Sequence, residues 1–159
     1  MTTGDLASSA APRRRRFWLV WLHVVLLLVL VYALVLVVAG SIAQPLFSAL
    51  GFGPPALIDS SDLSAYLRLP FAVLGAVLAG WTVLMLLVVR GPVASGASWA
   101  LPAVALSLAV WFVLDTGMSL LLGFQTHALF NIPFAIALGL PLWRLWAISR
   151  QAHRTVTDP

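Results

Sequence analysis

The sequence predicts an all-α integral membrane protein, a four-helix bundle with N- and C-termini cytoplasmic. Three observations predict it. Hydrophobic residues make up 62% of the 159 residues and charged ones only 9%. Soluble domains hold roughly 45–50% and about 25%. The apolar residues fall into four runs, each close to the ~20 residues that cross a bilayer core. The arginines gather on one side of those runs.

The elements follow in order. Residues 1–16 read as a disordered basic N-terminal tail: small, polar, without an apolar period, and ending in Arg13, Arg14, Arg15 and Arg16. The first span is residues 17–39, interrupted only by His23. A cleaved signal peptide is the competing reading, but its apolar core is about 7–15 residues long, shorter than this unbroken run. The same length argues against a twin-arginine export signal at Arg14–Phe17.

Residues 40–62 hold Pro45, Gly51, Gly53, Pro54 and Pro55 and read as a loop. Within it, residues 46–52 are apolar enough to lie at the interface or dip into the membrane. Ser60 or Ser61 suits the N-cap of a helix starting near Asp62. The second span is residues 69–89, with Pro70 at its entry and Arg90-Gly91-Pro92 at its end. In it Gly75 pairs with Ala79, and Ala76 with Gly80, four residues apart. Such small faces let a second helix backbone approach closely. A short turn over Gly91–Gly96 leads to the third span, residues 99–122. GFQTH (123–127) connects it to the fourth, residues 129–147, which carries Pro133 and Pro141. The transmembrane domain is thus 17–148, followed by a polar C-terminal tail, 149–159.

Charge sets the expected orientation. Four spans return the chain to its starting side. Arg13–Arg16, Arg90, Arg144, Arg150 and Arg154 then share that side, eight of the nine basic residues, and only Arg68 lies opposite. Basic residues favour the cytoplasmic side, so the termini are expected there. Trp18, Trp21, Trp99, Trp143 and Trp146 fall near the same helix ends, where indoles anchor at headgroup level. The net charge of +4 therefore points to a membrane and not to nucleic acid.

One residue breaks the apolar pattern. Asp115 sits in the outer half of the third span, about 7 residues or roughly 10 Å from its end. A charge at a helix centre costs about 2.5–3.5 kcal/mol on insertion scales, so Asp115 is expected to face the bundle or a cavity. Ser119 shares its face, and the short connection brings Asn131 to nearly the same level. Arg68, Gln125, His127, Tyr32 and Gln44 belong to the same half. The candidate site for a ligand or proton is therefore Asp115, Asn131, Ser119, Arg68 and His127. The plainer reading is a structural hydrogen bond between helices. Asn131 has its own plain reading, as N-cap of the fourth helix ahead of Pro133.

The inventory excludes several chemistries. With no cysteine there is no disulfide, thiolate site or iron–sulfur cluster. HExxH, GxSxG and P-loop patterns are missing. No helical spacing joins His127 to Asp59 and Asp62, and no cofactor or metal is expected. The four short-looped spans with DTGMSLLLG and NIPFAIALGLPLW resemble small bacterial four-helix membrane proteins, which implies a bacterial inner membrane. Small multidrug transporters share the span count, but they use an acidic residue in the first span, where this chain has none. The expected function is a non-enzymatic packing or accessory protein. Its partners are the lipid bilayer and either a second copy or another membrane protein. The alternatives are a proton-coupled carrier or channel using Asp115, and a lipid-directed enzyme at the outer face using Asp115 with His127.

Overall fold

The computed structural model describes residues 3–39 and 61–157, with side chains over 12–39 and 68–151. The segment 46–52 and the side chains of Gln44, Asp59, Ser60, Ser61, Asp62 and Arg154 lie outside the described residues. Four helices form: α1 (Thr3–Val38), α2 (Ser61–Val88), α3 (Ala100–Leu121) and α4 (Gln125–Thr157). Each contains a stretch long and apolar enough to cross a membrane.

The helices run past the expected spans. α1 starts at Thr3, so Arg13–Arg16 are helical and not part of a disordered tail. α4 starts at Gln125 and continues to Thr157, through the expected polar tail. Asn131 therefore lies inside α4 and is not its N-cap. The physical reason is propagation: once the apolar segment is helical, each further residue adds a bond at little cost. Ala7, Ala10 and Ala11, and later Arg150, Gln151 and Ala152, are good helix formers.

The expected turn over Gly91–Gly96 is also partly helical. Pro92 has no N–H to continue an α-helical ladder. The chain widens there into a π-turn over Val89–Val93, with the Ala94 N–H bonded to Val89 O. Gly96, at φ 84°, then reverses the chain. The Ala97 N–H bonds to Pro92 O at 2.9 Å and the Gly96 N–H to Val93 O at 3.1 Å, a Schellman closure. Gly123, at φ 82°, ends α3 in the same way, with Phe124 N–H on Ser119 O at 2.7 Å. Only residues 122–124 separate α3 from α4.

α1 packs along α2 on one side and α4 on another; α4 packs on α3; α2 and α3 meet only sparsely. At the end of the bundle that carries the termini, one apolar core joins all four helices: Leu22 and Leu26, Met85 and Val89, Val104 and Leu108, Leu138 and Leu142. The outer surface is apolar as well. Leu28, Val77 and Leu121 are 64%, 66% and 81% exposed. Helices apolar all round suit a lipid surround.

Lipid is as apolar as leucine, so close packing and polar contacts must hold such helices together. Gly75 supplies the closest approach. A Cβ there would lie 2.6 Å from Ala33 O and 2.8 Å from Val37 Cγ2 of α1. The rest of the predicted small face does not pack this way. Ala76 and Gly80 are exposed, Ala79 is half-buried, and nothing lies within 4 Å of a Cβ at Gly80. Each position turns the helix by about 100°, so Ala76 and Gly80 are rotated away from the α1 contact that Gly75 makes.

Polar side chains tie neighbouring helices. The Trp21 indole N–H donates to Ala137 O across α1–α4 at 3.1 Å. That carbonyl lacks its helical partner because residue 141, four positions on, is a proline. Trp81 donates to Ser107 Oγ across α2–α3 at 2.7 Å. Arg15 donates to Val93 O at 2.8 Å and Ala94 O at 2.9 Å, satisfying carbonyls at the end of the π-turn.

Candidate functional site

The site lies at the far end of the bundle, opposite the termini. Gly123 folds α4 back antiparallel on α3, which brings the second turn of α4 beside the last two turns of α3. Asn131 is buried there, 3% exposed. Its Nδ2 donates to Asp115 Oδ2 at 2.6 Å and to Thr116 Oγ1 at 3.1 Å. Both amide hydrogens of one residue thus meet two adjacent acceptors on α3, which fixes the amide orientation. His127, one turn earlier on α4, sets Nε2 3.2 Å from the same Asp115 Oδ2. The Asp115 and His127 side chains remain 37% and 29% exposed.

The predicted site residues divide. Asp115, Asn131 and His127 come together. The Ser119 hydroxyl bonds to the Asp115 backbone carbonyl at 2.6 Å and leaves the carboxylate to others. Arg68 is exposed on α2, which makes few contacts with α3, and the ionisable side chain that meets the Asp115 carboxylate is His127. Gln125 and Thr126 are exposed.

Chemically, one carboxylate oxygen accepts from an amide and faces an imidazole nitrogen. Such a pair can hold or exchange a proton. Its nearest hydroxyls are engaged locally: Ser119 donates to a backbone carbonyl, and Thr116 accepts from Asn131. Among the described residues no group of three or more His, Cys, Asp or Glu converges as a metal site.

Between this cluster and the termini end the polar side chains are spent locally. The His23 Nδ1–H donates to Leu19 O of its own helix at 2.7 Å, not to a neighbouring helix. Thr82, fully buried, donates to Leu78 O at 2.7 Å. Ser107 accepts from Trp81. Leu26, Leu108 and Leu138 of the core lie among them. The described residues therefore form a dry plug beneath an open polar end.

Of the five tryptophans expected at the termini end, Trp18, Trp143 and Trp146 carry arginines on their faces. The Arg144 guanidinium lies 4.8 Å from the Trp143 ring and 5.9 Å from that of Trp18. Arg150 lies 3.6 Å from the Trp146 ring. Two roles could not be read from sequence. Arg15 looks like its three basic neighbours, and Trp21 looks like any interfacial indole. Only Pro141, which leaves Ala137 O without its helical N–H, hints that a donor is needed.

Comparison with family models, with curated proteins and with solved structures gave no match.

Proposed function

We propose that this chain is a small multi-pass protein of a bacterial inner membrane, with cytoplasmic termini, acting as a non-enzymatic accessory protein through its outer polar end. One observation carries the reading: Asp115 is clamped by α4 through Asn131 and His127 above a dry core. A clamp of this kind orders the α3–α4 hairpin and presents its far end, with half-exposed Asp115 and His127, to a second membrane chain. The eight-to-one arginine distribution supports the orientation. The dry core speaks against a path through this bundle.

A photo-crosslinker at Phe124, exposed beside the cluster, tests the accessory role in intact membranes. A discrete protein adduct is expected, from a second copy or another membrane chain. Lipid adducts alone would refute the proposal. A reporter active only in the cytoplasm should work at the C-terminus and fail near Asp59.

The exposure of the Asp115–His127 pair favours a second reading, a carrier that loads a proton or cation from the outer face. Proteoliposomes holding a pH gradient separate the two. The accessory protein leaves the gradient as stable as empty vesicles do. A carrier dissipates it, and Asp115→Asn removes that activity.

A further inference from the structure

We infer that the groove between α3 and α4 binds one anionic phospholipid, its headgroup at the termini end and an acyl chain along the helices. The groove has a volume of about 490 Å³ and an almost wholly apolar lining. Its breadth has a sequence cause. Ala105 and Ala109 of α3 face Ala135 and Gly139 of α4, and none of the four is large enough to fill the gap. A Cβ at Gly139 would meet nothing within 4 Å.

The groove is matched to one leaflet. On α3 it extends from Leu101 to Phe112, which is about 16 Å at 1.5 Å per residue and close to half of a ~30 Å hydrocarbon core. At its termini end it meets a second pocket of about 180 Å³ that shares Leu101, Pro102 and Trp146. This mouth is polar and basic: Arg15, Arg150, Ser98 and Ser149 line it. Among the described residues neither arginine is ion-paired, and the sole acidic side chain, Asp115, lies in the opposite half of the bundle. Arg150 rests on the face of Trp146, a contact that leaves its N–H donors available to an anion. Arg15 is anchored on Val93 O and Ala94 O, two neutral carbonyls, so among the described residues its charge is uncompensated. A basic pocket between helices at headgroup level, opening onto an acyl-sized groove, has the chemistry of a phospholipid phosphate.

Native mass spectrometry of the detergent-purified chain, titrated with phosphatidylglycerol or phosphatidylcholine, tests this. The parent should retain phosphatidylglycerol in preference to phosphatidylcholine. Removing one arginine near the surface forfeits about 1 kcal/mol, so Arg150→Gln should lower that preference about fivefold. Gly139→Leu, which grows into open space, should reduce retention of both lipids while the circular dichroism stays that of the parent. Equal retention of the two lipids by the parent overturns the inference. So does a Gly139→Leu variant that binds both as the parent does. Should Gly139→Leu fail to fold, Ala109→Leu fills the same groove from α3 and is read by the same criterion.

Discussion

The Asn131 amide donates to the Asp115 carboxylate at 2.6 Å, across the α3–α4 hairpin. The acid that makes α3 an imperfect membrane segment is thus the acceptor that lets Asn131 be buried in α4. Neither residue is tolerable in an apolar bundle without the other or a substitute for it.

Asymmetry between substitutions follows. Asp115→Asn keeps an acceptor for Asn131 and should unfold near the parent's temperature in detergent. Asp115→Leu leaves the buried amide without that acceptor and should cost about 1–3 kcal/mol. A double-mutant cycle with Asn131→Leu should return a clear coupling energy, because the two side chains share one bond. Independent effects would show that the contact does not hold the hairpin.

The α1–α2 interface should be sensitive at one glycine. Gly75→Ala drives a methyl into Ala33 O, a backbone atom that cannot swing aside. Overpacking of this kind costs about 1–3 kcal/mol. Gly80→Leu should leave thermal stability unchanged, since that position opens outward. Equal losses at both positions would contradict the packing described.

Trp21 and Pro141 should be coupled. Trp21→Phe removes the donor to Ala137 O and should destabilise by about 0.6 kcal/mol, the usual size of such bonds between membrane helices. In a Pro141→Ala background the helix supplies its own N–H to that carbonyl. Trp21→Phe should then cost measurably less in thermal unfolding. An undiminished cost would mean that the ring's packing, not its N–H, is what matters.

Arg15 should stand apart from its basic neighbours. Arg15→Gln weakens the closure over Val93–Ala97 and should speed amide hydrogen exchange there. Arg14→Gln, exposed to solvent, should leave exchange in that segment unaltered. Identical exchange in both variants would reduce Arg15 to a topology charge.

Much of this architecture was legible in the residues. Composition and run length give four apolar helices because a bilayer permits few alternatives to a self-satisfied helix. The short GFQTH connection brings Asp115 and Asn131 to one level, since rise per residue is constant along both arms. Helix ends were less legible. Propagation beyond an apolar run depends on modest propensities, so Thr3 and Thr157 extend helices where polarity alone suggests tails.

What the chain determined by itself is therefore its all-helical class, its four apolar segments and the pairing of α3 with α4. Which small residue meets a neighbour was decided only in three dimensions. Gly75 touches α1 and Gly80 faces outward because helix rotation is set by the sum of packing contacts, and Gly-xxx-Ala and Ala-xxx-Gly read alike along the chain. The same holds for the donors. Arg15 and Trp21 became structural because packing carried them to carbonyls beside Pro92 and at Pro141's missing bond, a proximity between residues 78 and 116 positions apart in the chain. Local sequence sets which groups lack a partner; only the tertiary arrangement sets which distant side chain supplies it.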